Sequence, residues 1–240
     1  MMKEKTNDLR INGMGTASGG RYDRVDINGV SGVNGDLECQ DFNANGKVKI
    51  NGAIRSGTVY VEGLSTVKGN VQAQRINIHG KMEIEGDVTF QEIRVDGKTR
   101  VSGRASGEEA DIRGNFHVEG DCDAEVFSLQ GGFTVGGLLN AGKIEIHIHD
   151  GCQAKEIGGE HIRVRKIAHG PKFWGALLPF GHYLTTDSVE GDDIHLEYTK
   201  ARVVRGNNVT IGPGCEIDLV EYRGQYRLDQ GAKVGESRQL

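Results

Sequence analysis

The sequence predicts an all-β protein: a three-sided parallel β-helix of seventeen-residue turns with a C-terminal β extension. Three observations carry this. First, Gly29, Gly46, Gly63, Gly80, Gly97, Gly114 and Gly131 stand seventeen residues apart, and Gly35, Gly52, Gly69, Gly86, Gly103, Gly120 and Gly137 repeat the spacing six residues further on. A fixed period of this length is the mark of a stacked-repeat architecture. Second, the position four after each first-series glycine is always Val or Ile, from Val33 and Ile50 to Val118 and Val135. Side chains of this type suit a pleated strand. Third, the chain has 37 glycines but only three prolines among 240 residues, a balance that fits tight turns between short strands rather than collagen or a proline-rich linker.

Residues 1–8 read as a polar tail. The first turn begins near Leu9, where Leu9 and Ile11 occupy inward columns and Gly13 precedes Gly29 by sixteen residues. Later turns place Leu37, Ile54, Val71 and Val88 eight after the glycine, Phe42, Val59, Ile76 and Ile93 thirteen after it, and Ala44, Val61, Ile78 and Val95 two further on. Their immediate neighbours are mostly polar, and alternation with period two means strand. The column ten after the glycine is mostly small (Cys39, Ser56, Ala73, Gly107, Ala124, Ala141), with Phe90 the exception. The glycines belong at corners that need positive φ or close approach. Asn28, Asn34, Asn45 and Asn51, each before a glycine, are expected to help there by tolerating the left-handed region.

The β-helix of seventeen-residue repeats is expected over 9–146, followed by a β block over 147–240. The new pattern appears as Ile157-Gly-Gly-Glu-His-Ile162-Arg-Val164 and returns at Val189–Leu196 and Val204–Ile211, thirty-two and then fifteen residues on. The excess of seventeen should leave the body as an insertion at about 168–184. That insertion holds the sole tryptophan and the apolar cluster Phe173, Trp174, Leu177, Leu178, Phe180 and Tyr183. It reads either as a loop folded over its own body or as a docking surface for a membrane or partner, since Trp and Tyr suit a lipid–water boundary. Residues 217–234 are expected to supply the last strands.

Composition excludes several classes. The net charge of −5 and the lack of a basic run give no support to nucleic-acid binding. The opening MMKEKTNDLR resembles no signal peptide, and no stretch of about 18 apolar residues could form a membrane-spanning helix. Cys39, Cys122, Cys152 and Cys215 are far apart and fit a reducing cytoplasm. Cys39 and Cys122 fall in inward columns and read as buried thiols. No P-loop, G-x-S-x-G or H-E-x-x-H occurs, so neither a catalytic centre nor a cofactor is expected. His147 and His149 lie on one face of a strand near Asp150, Cys152 and His161, which could hold zinc but equally suits an exposed strand. Outward columns mix both signs, as in Lys81 with Glu83, and read as a solvated face.

A stack of turns also has ends. A bare end exposes apolar columns and strand edges, and such surfaces pair with further copies. Leu9 and Ile11 at one end, and Leu219, Tyr222 and Tyr226 at the other, are the expected contacts of a homo-polymer. The Φ-x-Φ-x-G repeats and the segment VRGNNVTIGPGCEIDLVEY over 204–222 resemble the bactofilins, in particular Bacillus-type members. The resemblance implies a right-handed β-helix that polymerises end to end without nucleotide. It also implies a cytoplasmic scaffold, at the inner face of the cell membrane, that positions other proteins in cell shape, motility or envelope processes, with a second bactofilin-like chain as a partner. The chain departs from many such proteins in having no proline-rich tail and no apolar N-terminal stretch. The run Val209–Ile217 is also similar to the hexapeptide repeat of left-handed β-helix enzymes, which leaves a trimeric acyltransferase or a protein like the γ-carbonic anhydrases as the alternative.

Overall fold

The computed structural model describes residues 7–166 and 182–240, and every regular element among them is a strand. The chain forms two compact units, 1–120 and 121–240. Each is a parallel β-solenoid.

The first unit contains β1 (Leu9–Arg21), β2 (Arg24–Asn51), β3 (Ile54–Val67), β4 (Val71–Ile84), β5 (Val88–Val101) and β6 (Ala105–Val118). Each strand pairs in parallel with the next. The register follows the sequence period: Val59 lies against Ile76, Ile76 against Ile93, and Ile93 against Ala110. One element bends through two corners. In β3 the buried side chains come in pairs, Ile54 with Ser56, Val59 with Val61, and Ser65 with Val67, one pair for each side of the turn. The short first turn loses its residue at a corner: Ser18 opposes Asn34, but Gly20 opposes Leu37.

The second unit contains β7 (Cys122–Lys166), β8 (Leu184–Leu196), β9 (Thr199–Ile211), β10 (Glu216–Tyr222), β11 (Tyr226–Leu228) and β12 (Lys233–Gln239). Its order is β7-β8-β9-β10-β12, with β11 on β9. β7 runs through Ile146 and His147 unbroken, so the change of pattern there is a change of corner spacing within one strand. The three copies of the later motif stack in register, Ile157 on Val189 on Val204 and Ile162 on Ile194 on Val209. The insertion ends before residue 184, because Leu184 pairs with Cys152 and is fully buried.

The two glycine series do different work. The first series has positive φ, as at Gly63 (110°) and Gly97 (142°), and a Cβ on Gly97 would overlap the carbonyl oxygen of Gly80 one turn earlier. Both conformation and space therefore demand glycine. The second series, Gly35 excepted, has ordinary φ and is held by space alone. At this corner Asp87 Oδ1 accepts from the Arg104 N–H at 2.8 Å, and Asn70 Oδ1 accepts from the Asp87 N–H at 2.9 Å. A Cβ on Gly103 or Gly86 would fall on those side-chain oxygens. The asparagines before glycines play another part than expected. Tyr198 is the one non-glycine residue at positive φ among those described. Asn51 instead donates to Asn34 at 2.8 Å and Asn28 to Asn12 at 3.2 Å, as ladders between turns.

The inward columns at four, eight, thirteen and fifteen are buried as expected, and each fully buried aliphatic contributes roughly 1.5–3 kcal/mol. A further column, two after the glycine, escaped the sequence reading because its chemistry is mixed: Ser31, Val48, Ser65, Met82, Thr99 and Phe116 are all buried. The Ser65 and Thr99 hydroxyls find no hydrogen-bond partner. Phe90, the large exception in the small column, lies over Gly107, where a Cβ would overlap its ring.

Two stability predictions follow from this core. Thr99→Val keeps the volume and removes an unpaired buried hydroxyl, so the urea midpoint should rise by an equivalent of about 1 kcal/mol. Gly107→Ala should destabilise the wild type and cost less in a Phe90→Ala background. A double-mutant cycle on urea denaturation should return a coupling of roughly 0.5–3 kcal/mol.

Candidate self-assembly interface

The ends of each unit follow from where its columns stop. In the first unit, Leu9 and Ile11 of β1 are half-buried, whereas their counterparts Val25 and Ile27 on β2 are completely buried. Among the described residues β1 pairs with β2 alone, so its second edge offers unpaired backbone groups. Arg10 rims this surface, 3.0 Å from Asp8 and 3.7 Å from Asp26.

In the second unit the last turn consists of β11 and β12. Tyr226 lies over Val209, Leu228 over Ile211 and Val234 over Ile217. Leu228 is 49% exposed, while Ile211 beneath it is buried. The structure thus puts Leu219 and Tyr222 one turn inside the end, where β12 pairs over them through Glu236 and Gln239. The Tyr222 ring stacks on that of Tyr226, with centroids 5.0 Å apart. Burial pushes the Tyr226 phenol pKa up, with the nearby Tyr222 adding to it. Leu228 and Val234 fall within the expected last strands over 217–234 but not among the expected polymer contacts, although each stands seventeen residues after a buried isoleucine, Ile211 and Ile217.

Ion pairs bind β12 to the body. Glu221 lies 2.6 Å from Arg205 on one side and 3.7 Å from Arg238 of β12 on the other. Glu216 likewise lies between Lys200 (2.9 Å) and Lys233 (3.9 Å). Its carboxyl pKa is lowered by the Lys200 hydrogen bond and charge. The surface left at this end is an apolar patch ringed by both signs of charge.

Comparison with known proteins places this geometry. Residues 3–105 match the family model Bactofilin, described as polymer-forming cytoskeletal. The uncharacterized protein YhbE of Bacillus subtilis (strain 168) is 59% identical over 233 residues, 97% of this chain and 98% of that protein. The uncharacterized protein YhbF of the same organism is 39% identical over 106 residues, 43% of this chain and 42% of its own. The chain belongs to the bactofilin family. No solved structure matches it.

Other candidate groups in this bactofilin resolve differently. Phe173, Trp174, Leu177, Leu178 and Phe180 lie outside the described residues. Among the described residues, Lys166 Nζ stands 4.4 Å over the Tyr198 ring and Lys200 Nζ 4.8 Å over Tyr183. No group of three His, Cys, Asp or Glu that could hold a metal occurs among the described residues. Cys152 points inward, with Sγ 3.8 Å from the Gly131 carbonyl, and is buried, whereas His149 is exposed. Strand alternation sends them to opposite faces. The hexapeptide-like run Val209–Ile217 forms the end of β9, a turn with Gly214 at φ 75°, and the start of β10. Among the described residues no helix is long and apolar enough to cross a membrane.

All four cysteines are buried and unpaired. Burial pushes the Cys122 and Cys152 thiols up to about 12 and Cys215 to about 11, and it raises Cys39 as well. The thiolate is the reactive form, so all four should resist iodoacetamide in the native protein near pH ~8 and label fully in urea. The folded-state pKa lies above the ordinary value of 9.0. This contribution to stability is therefore complete below about pH 9 and is lost as pH climbs toward about 12. The loss in urea midpoint between those limits should shrink in Cys122→Ala.

Proposed function

We propose that this chain is a cytoskeletal scaffold that assembles end to end into filaments without nucleotide. The observation that carries the reading is the pair of uncovered terminal turns. Leu9 and Ile11 at one end, and Tyr226, Leu228 and Val234 at the other, continue buried columns over which no further turn lies among the described residues. Apolar surface and unpaired strand edges both favour another copy, and a contact that does not close on itself propagates. The polymer-forming description of the family supports the same conclusion.

The filament in this reading lies at the cytoplasmic face of the cell membrane and positions other proteins there, in cell shape, motility or envelope processes. A second chain of the family is its natural co-assembly partner, since it would present the same edges at the same strand spacing. The presence of two relatives, YhbE and YhbF, in one organism supports this.

The deciding measurement is electron microscopy with sedimentation, in plain buffer without nucleotide. Wild type should form filaments of uniform width. A charge at the contact costs at least ~2 kcal/mol, so Leu9→Asp/Ile11→Asp should raise the critical concentration roughly thirtyfold. Leu228→Asp, at a residue already half exposed, repeats the test at the other end with less risk to folding. Circular dichroism checks that both variants fold. Discrete particles of wild type at every concentration and salt would overturn the scaffold reading.

A further inference from the structure

The outward columns of the first unit are not equivalent. On the side that follows the first glycine series, the column one residue on runs Met14, Val30, Lys47, Leu64, Lys81, Lys98. The pairing puts Met14 beside Val30, Lys47 beside Leu64, Leu64 beside Lys81, and Lys81 beside Lys98. Met14 is 88% exposed, Val30 55% and Leu64 50%. These are half of the exposed large hydrophobics among the described residues, and they share one column. The parallel column two residues further carries Lys49 and Arg100.

Charge on this side is unbalanced. Its one carboxylate, Glu83, is held by Lys81 at 2.6 Å. Arg100 reaches Glu119 at the corner, 3.4 Å away. Lys47, Lys49 and Lys98 have no ion-pair partner among the described residues. On the side bearing Arg24, Arg94 and Arg113 each of these stands within 4.0 Å of a carboxylate, Asp41, Glu92 and Asp111 respectively, and Arg75 alone among its described cations has no ion pair. The chain as a whole is acidic, so the pooling of unpaired cations beside exposed aliphatics sets this side apart.

We infer that this side of the first unit docks on an anionic lipid bilayer. Lysines at such a surface contact headgroup phosphates while Met14, Val30 and Leu64 enter the boundary with the acyl chains. A nucleic acid would satisfy the lysines but leaves the aliphatics in water. A purely apolar partner would leave the lysines buried without counter-charge, at a large cost. A bilayer takes both at once. The inference deepens the membrane placement proposed above and rests on it, and it assigns the contact to a part of the chain separate from the insertion.

The test is flotation with vesicles of phosphatidylcholine alone and with an equimolar mixture of phosphatidylglycerol and phosphatidylcholine. Wild type should float with the anionic vesicles only, and less at high salt. Lys47→Gln/Lys49→Gln/Lys98→Gln should lower the partition coefficient roughly tenfold or more, and Met14→Ser/Leu64→Ser should lower it as well. Arg24→Gln/Arg94→Gln, on the paired side, should float as wild type does. All these residues are exposed, and unchanged thermal melts confirm folding. If wild type and the Lys and Met/Leu variants float equally, the membrane placement stands and this face is overturned as the contact. If nothing floats, both fall. Binding to duplex DNA at the same salt without flotation also overturns the lipid assignment. Polymer alone sediments rather than floats, so the scaffold reading passes or fails separately.

Discussion

Everything in this molecule depends on in-register parallel pairing between successive turns. Each residue lies against its own counterpart one turn away, and turns stack at about 4.8 Å. A column therefore has to satisfy one steric rule again and again. At the first corner, any side chain would strike the carbonyl of the turn before, as Gly97 would strike Gly80 and Gly80 would strike Gly63. Glycine recurs because backbone packs directly on backbone there. At the second corner the rule is softer: a side-chain oxygen from Asn70, Asp87 or Asp121 fills the space that the next glycine leaves open. Each such carboxylate or amide also satisfies a backbone N–H that the bend would strand.

The same pairing explains why chemistry in this protein is spread along columns rather than gathered in a cleft. Residues converge on a site when elements cross, and here neighbouring strands run parallel and in step. Thiols enter the core one at a time and are sealed by burial. Histidines such as His147 and His161 find carboxylates on their own or the next turn, at 3.4 Å and 3.2 Å, in pairs rather than clusters. What a column accumulates is a surface: a ladder of amides, a run of ion pairs, or a strip where lysine alternates with aliphatic side chains. Scaffolding and docking use surfaces of this kind, and among the described residues the first and last strands each carry an unpaired edge.

Much of this was legible in the sequence. The period, the start at Leu9, four of the inward columns and the register of the three later motifs could all be read because burial on one side and solvent on the other enforce alternation. The mixed column from Ser31 to Phe116 was not legible, since a serine or threonine among hydrophobics looks like an outward residue. Phe90 looked anomalous until its ring was seen over Gly107, a relation between turns rather than neighbours. At the C-terminal end, Leu219 and Tyr222 drew notice by being large and apolar. The seventeen-residue step from Ile211 and Ile217 leads instead to Leu228 and Val234.

The sequence by itself determined the fold class, the repeat length and four inward columns of the core, because a strict period leaves one stacking register that buries those apolar columns. Only the tertiary structure decided which turn is last at the C-terminal end, which glycines are held by conformation and which by space, and which lysines lack ion-pair partners among the described residues. Those properties depend on what lies one turn away in space. The sequence fixes that distance in residues only while the corners keep their spacing, and beyond Ile146 they do not.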